Sequence, residues 1–255
     1  MTLAVPAFAE RAADAGWARV EFASDLHLRA DDPATVQAWQ HYLQRCDADA
    51  LFILGDLFEL WIGDDAAGDF ELGCADALRA AAAHRPLFFM HGNRDFLVGS
   101  RFLDSCKVVL LADPTVLGFA GQRWLLSHGD ALCLDDTEYL AYREQVRDPI
   151  WQRDFLAKPV AERRAIAQTI RVHSETRKRT EGYGDVDANA ARRWLQAARA
   201  TTLIHGHTHR PADHDLGGGL RRVVLSDWDA QDRPPRAEVL RLDETGRLER
   251  ITPPS

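Results

Sequence analysis

Four short apolar runs, at 18–24, 50–54, 86–90 and 201–205, constrain this chain most. Each is five to seven residues long and rich in Val, Ile, Leu or Phe, the signature of a buried strand. Stretches of helical character lie at 33–46, 70–84 and 187–199, with Pro33 placed for a first helical turn. Strands that alternate with helices pair in parallel, because the crossover carries the chain back over the sheet. A second group of strand-like runs, at 107–111, 115–119, 123–127, 221–226, 237–242 and 247–251, predicts a second sheet. The expected fold class is therefore α/β, two mixed sheets with helices outside. Residues 1–17 have no basic start, and Pro6 and Glu10 break their apolar run. They read as a short leader, with a single domain over 18–251.

Composition removes several function classes. With 46% hydrophobic and 27% charged residues the chain is neither disordered nor membrane-spanning. A net charge of −8 argues against a general nucleic-acid coat, which needs positive potential, so no nucleic-acid partner is expected. Cys46, Cys74, Cys106 and Cys133 form no C-x-x-C pair. They read as small core residues in a reducing compartment.

The stretch 135–185 breaks the alternation. It is helical in character, and between 150 and 184 eight basic residues oppose four acidic ones. Trp151, Phe155, Leu156, Val160, Ile166 and Ile170 recur at spacings compatible with a helix face. They are expected either to pack this segment on the core or to cover apolar substrate. A basic run is ordinarily a solvated helix face; here its sign opposes that of the chain, which favours an anionic ligand.

The chemistry lies where the apolar runs end. The first runs into Asp25-Leu26-His27, the second into Gly55-Asp56 and the third into His91-Gly92-Asn93-Arg94-Asp95. The run at 123–127 ends in His128-Gly129-Asp130, and that at 201–205 in Gly206-His207-Thr208-His209. In extended backbone Asp25 and His27 would share a side and grip one ion. Taken singly, each piece has an ordinary structural explanation. Five in order, each after an apolar run, do not. Oxygen and nitrogen donors without thiolate suit Mn, Fe, Zn or Mg, and so many suit two ions sharing a carboxylate.

The blocks D-x-H, G-D, G-N-R-D, H-G-D and G-H-T-H resemble those of the calcineurin-like metallophosphoesterase superfamily, over roughly 20–224. GDLFELWIGDD (55–65), HGNRDFLVG (91–99), HGDALCLDD (128–136) and HGHTHRP (205–211) are similar to the branch that cleaves the diphosphate of UDP-2,3-diacylglucosamine. The products there are UMP and 2,3-diacylglucosamine 1-phosphate, the lipid X of lipid A biosynthesis. The resemblance implies an α/β sandwich of two mixed sheets with a helical insertion cap, here about 135–185. It implies Asp25, His27, Asp56 and His209 on a first metal, and Asp56, Asn93, His128 and His207 on a second. The implied ions are two Mn(II), which activate a water. It further implies a cytoplasmic enzyme, peripheral on the inner face of the inner membrane, and no protein partner is evident.

The resemblance also implies substrate contacts at Asn93, Arg94, Asp136, Ser174 and His207, with Tyr139 and Arg171 as neighbours. A basic contact after Ser174 falls on Lys178, with Arg177 and Arg179 as alternatives, because the segment is shorter than the usual pattern. Arg94, Asn93 and His207 are the expected catalytic positions. The wider superfamily commonly has His where Arg94 stands. A histidine can protonate a poor leaving group, whereas an arginine neutralises charge on a phosphoanhydride. The structural alternative for Arg94 is an ion pair with Asp95. Two other functions compete: a related hydrolase of soluble nucleotides, which the basic, apolar cap argues against, and a non-catalytic scaffold, which should lack ligands.

Overall fold

The computed structural model describes residues 4–181 and 184–253, with side chains over 4–170 and 184–253. Two six-stranded sheets lie in the described residues. In the first, β2 (Arg19–Ala23), β3 (Ala50–Ile53), β4 (Leu87–Met90) and β5 (Val108–Leu111) run parallel. β11 (Val239–Asp243) lies antiparallel beside β2, and β12 (Leu248–Ile251) lies outside it. The second sheet has the order β1 (Ala9–Ala12), β6 (Thr115–Phe119), β7 (Gln122–Ser127), β8 (Thr202–His205), β10 (Leu220–Val224) and β9 (Ala212–Gly217). This is the expected class, two mixed sheets flanked by helices.

The partition of strands between the sheets differs from expectation. The run 107–111 extends the first sheet as β5, and 237–242 and 247–251 join it through β11 and β12. The run 201–205 joins the second sheet as β8. Apolar alternation tells a strand which face to bury, not which neighbour to pair with. Here the helical returns decide: α3 (Ser100–Cys106) delivers β5 beside β4, and α7 (Ala188–Ala198) delivers β8 parallel to β7.

The stretch read as a leader is corrected too. Ala9–Ala12 pairs parallel with β6, and Phe8 packs edge-on against Trp194 at 6.3 Å. Its sequence AERA carries no strand signal, because pairing on a sheet edge rather than burial holds it. The same applies to β9, ADHDLG, which is polar and pairs only with β10.

The inner faces of the sheets form one core. Phe22, Phe52 and Phe88 stack in register, with ring centroids 5.3 and 4.7 Å apart, and meet Leu117, Trp124, Leu126, Ile204 and Val223. α1 (Pro33–Arg45), α2 (Asp69–Ala82) and α3 cover the outer face of the first sheet. α7 covers the second with Trp194 and Leu195. All four cysteines are buried and unpaired, as expected.

α1 starts at a cap that also ties down the C-terminal half of the chain. Asp32 accepts the Thr35 amide at 3.2 Å and the Thr35 hydroxyl at 2.8 Å, while Gln231 Nε2 donates to it at 2.7 Å. Asp32→Ala should cost about 1–2 kcal/mol, lowering Tm by roughly 2–8 °C in calorimetry.

α4 (Thr137–Arg147), α5 (Pro149–Leu156) and α6 (Val160–Glu181) follow the end of β7 and fill the segment expected to be helical. Phe155 is buried and its ring stacks on Trp151 at 4.9 Å. With Val160 and Ile166 these residues pack against the cluster that holds Phe58, Phe96 and Leu97. Phe155 is thus a core residue, while Leu156 and Ile150 on the same helix are exposed. Arg163, 1% exposed, anchors α6 through Ile62 O at 2.5 Å and Asp65 Oδ1 at 2.8 Å.

Candidate active site

β2, β3 and β4 are parallel, so their carboxyl ends emerge on one side. β7 and β8 are parallel as well and bring the two histidine blocks together. The loops after these five strands carry all seven expected metal ligands.

The local backbone is not that of strand ends. β2 stops at Ala23, and Asp25 and His27 have left-handed φ values of 53° and 48°. The expected extended D-x-H geometry is therefore corrected: two left-handed turns, not a pleat, aim both side chains at one point. Asp56, His207 and His209 share this conformation at 54°, 68° and 51°. A non-glycine residue there costs of order 1–3 kcal/mol and persists only where its surroundings impose it. The glycines serve close approach. A Cβ on Gly92 would overlap the Asp56 carboxylate, and one on Gly206 would overlap Asp25.

The donor atoms converge. His27 Nε2 lies 3.2 Å from His209 Nε2 and 3.9 Å from Asp56 Oδ2. His209 Nε2 is 3.4 Å from Asp25 Oδ1, which is buried without a hydrogen-bond partner. On the other side, Asn93 Oδ1 sits 3.0 Å from His128 Nε2 and 2.8 Å from His207 Nδ1. Asp56 Oδ2 lies 3.7 Å from His128 Nε2 as well, so it stands between the two sets. Ligand atoms of Asp25, His27 and His209, and of Asp25, Asp56 and His128, come within 4.8 Å of one another. Asp25 thus reaches both groups.

The electrostatics fit divalent cations. Burial opposes ionisation of Asp25, yet His209, His128 and His27 hold its carboxyl below the usual carboxylate range. Burial likewise opposes a charge on His128, but Asp56, Asp25 and Asp130 push it up to about 9. Buried carboxylates in such a cluster demand positive charge, and a bound ion supplies it. An orphaned carboxylate oxygen, facing imidazole nitrogens and no thiolate make a donor set for such ions.

Several contributing residues were not among the expected metal ligands. Asp95 is fully buried and accepts amides of Gly92 at 2.9 Å and Leu57 at 2.7 Å, locking the Asp56 and Asn93 loops together. Burial and the Asp56 charge push its carboxyl up to about 7. Asp95 is thereby committed to backbone, and the alternative Arg94–Asp95 ion pair is not what holds Arg94. Arg94 instead donates its amide to Asp56 Oδ1 at 2.7 Å, and its buried Nε has no hydrogen-bond partner. Asp227 Oδ2 lies 3.6 Å from His209 Nδ1 and is itself held by Arg236 at 3.0 Å.

Tyr139 and Asp136 prove to have structural employment. The Tyr139 hydroxyl donates to Asp130 Oδ2 at 2.5 Å, which also accepts Arg143 Nε at 2.8 Å. Its ring stacks on His207 at 5.9 Å, so α4 reaches one of the expected ligands. Asp136 caps α4 by accepting the Tyr139 amide at 2.9 Å. Arg171, Ser174 and Lys178, with Arg177 and Arg179, lie outside the residues whose side chains are described.

The family model for calcineurin-like phosphoesterases matches residues 18–211. The chain belongs to that family. This phosphoesterase is 46% identical over 237 residues to a UDP-2,3-diacylglucosamine hydrolase of Chromobacterium violaceum, covering 89% of this chain and 96% of the relative. It is 44% identical over 245 residues to a protein of the same name from Xanthomonas campestris, covering 88% and 95%. Among solved structures, Vps29 of Entamoeba histolytica, described as complexed with zinc, is similar with a TM-score of 0.48 at 14% identity, covering 91% of this phosphoesterase and 98% of that chain.

Proposed function

We propose that this phosphoesterase hydrolyses the diphosphate of UDP-2,3-diacylglucosamine, releasing UMP and 2,3-diacylglucosamine 1-phosphate. The observation that carries the reading is Arg94: its amide binds Asp56, its side chain is 12% exposed with Nε unpaired, and it lies in a chain 46% identical to a hydrolase of that name. Asp25, His27, Asp56 and His209 would hold one divalent ion, and Asp56, Asn93, His128 and His207 the other. When bound, the ions supply charge neutralisation at the diphosphate and activation of the attacking water. Mn(II) is the proposed metal, in keeping with the oxygen and nitrogen donors.

The chain's own residues set the rest. Arg94 meets charge on the phosphoryl oxygens and orients the diphosphate. Asn93 and His207 carry their donor atoms to the same place, and Tyr139 keeps the His207 ring from turning. A phosphate monoester leaves as a weak base, so no protein acid is needed beside Arg94.

The segment 135–185 acts as a cap inserted in a single domain, with Arg171, Ser174 and Lys178 as substrate contacts on α6. Exposed Ile150 and Leu156 beside Arg153 and Lys158 support docking on the cytoplasmic face of the inner membrane. Among the described residues, no helix is long and apolar enough to cross a membrane. A monomer is the proposed state.

The test is direct. Metal-loaded protein is assayed on UDP-2,3-diacylglucosamine and on soluble substrates such as a dinucleoside polyphosphate, a cyclic nucleotide and an ADP-sugar. The expected result is formation of UMP and 2,3-diacylglucosamine 1-phosphate in preference to hydrolysis of any soluble substrate. Faster turnover of a soluble nucleotide would replace the lipid reading with the competing one.

A further inference from the structure

We infer that Glu59 is a positioning residue shared by the two halves of the site, one carboxylate that sets both the His27 metal ligand and the Arg94 guanidinium. The Arg94 half of this inference rests on the diphosphatase reading; the His27 half rests only on the donor set.

Glu59 lies three residues after Asp56, and its side chain is 13% exposed. Its position is built by backbone pairing. His27 N donates to Asp56 O at 3.0 Å, Leu28 N to Leu57 O at 2.9 Å, and Glu59 N to Leu28 O at 3.2 Å. The D-x-H and G-D loops are thus zipped together, and Glu59 is delivered beside His27.

Its two oxygens serve two partners. Oε2 lies 3.0 Å from His27 Nδ1, a buried nitrogen that makes no aligned hydrogen bond. A small rotation of the ring aligns the pair. With the proton held at Nδ1, Nε2 keeps its lone pair toward Asp25, Asp56 and His209, the tautomer a metal ligand needs. Oε1 lies 3.9 Å from Arg94 Nη1. That separation is too long for a hydrogen bond, so Glu59 balances the Arg94 charge without spending its donors. A mostly buried guanidinium needs such a counter-charge when no anion is bound. An incoming phosphate can then take the donors while Glu59 holds the side chain in the cleft.

The other half of the first ligand pair is organised differently. Asp227, facing His209, is engaged by Arg236 and does not approach Arg94 in any described contact. Glu59 is the carboxylate that joins ligand and arginine.

The experiment uses the full chain stripped of metal. Mn(II) binding to wild type, Glu59→Gln and Glu59→Ala is followed by calorimetric titration. Melting of each metal-free protein checks folding, and Glu59→Gln preserves the side-chain volume. Glu59→Ala should weaken Mn(II) binding by roughly 10–100-fold, and Glu59→Gln by less, because the amide still offers an acceptor oxygen. At saturating Mn(II), both should lower kcat on UDP-2,3-diacylglucosamine, and the loss should be non-additive with Arg94→Ala. Unchanged Mn(II) affinity in Glu59→Ala overturns the His27 role. Strict additivity with Arg94→Ala overturns the Arg94 role. If wild type fails to cleave the lipid nucleotide while Glu59→Ala still weakens Mn(II) binding, the diphosphatase reading has failed and the His27 role stands.

Discussion

Asp56→Ala should abolish turnover, lowering kcat by about a thousandfold or more, since one carboxylate is asked to serve two ions. Its Oδ2 lies 3.9 Å from His27 Nε2 and 3.7 Å from His128 Nε2, between the two donor sets. Its Oδ1 takes the Arg94 amide at 2.7 Å, so the loop that carries the arginine would also lose a tether. Stability should behave in the opposite sense. Asp56, Asp25 and Asp95 are buried together, and the Asp56 charge helps to push the Asp95 carboxyl up. Removing one carboxylate from that cluster relieves repulsion, so the metal-free variant should melt at or above the wild-type temperature. The rise in Tm that Mn(II) gives wild type should shrink sharply, because a ligand stabilises only the state that binds it. A variant that kept a tenth of wild-type kcat and the full Mn(II)-dependent rise would remove Asp56 from its bridging place.

Much of this site was legible because metal chemistry restricts residue types. Asp, His and Asn after apolar runs, with glycine beside them, pointed to seven residues whose polar atoms the fold brings together. What escaped was conformation and support. Nothing in D-L-H announces that Asp25 and His27 take left-handed φ, since for non-glycine residues that state is imposed by the surroundings. Glu59, Asp95 and Asp227 act at one remove: the first two fall inside the quoted blocks and Asp227 outside them, but no block says what a supporting carboxylate faces. Only the interleaved backbone of the two loops shows what Glu59 faces. In the fold, buried strands were legible from apolar content. The edge strands Ala9–Ala12 and Ala212–Gly217 were not, because hydrogen bonding to one neighbour can hold a polar sequence extended. Sheet membership followed the crossovers, which no local pattern encodes. Phe155 illustrates a related limit: helical spacing identifies an apolar face, and the packing against Trp151 decides that it faces the core.

Arg94→Ala should lower kcat by roughly a hundredfold to a thousandfold, the effect of losing one preorganised donor to transition-state charge. Mn(II) affinity should hardly change, because Arg94 contributes its amide, not its side chain, to the metal loops. The two readouts therefore separate Arg94 from every ligand. Arg94→Lys should recover only part of the loss: an ammonium restores charge but not the planar fork that holds two phosphoryl oxygens at once. The folded state should tolerate both changes, since Asp95 is held by the backbone of Gly92 and Leu57 and does not rely on the guanidinium. The chemistry of the leaving group gives a sharper check. UMP and a sugar phosphate are stable anions once expelled, so the transition state gathers charge on phosphoryl oxygens more than on a departing alkoxide. Arg94→His would exchange charge neutralisation for a proton donor. It should hurt diphosphate cleavage while favouring phosphodiesters with alkoxide leaving groups, measured as the ratio of kcat/KM on the two substrate classes. Full kcat in Arg94→Ala, or an unchanged ratio in Arg94→His, would leave Arg94 a structural residue and the choice of a phosphoanhydride without its physical reason.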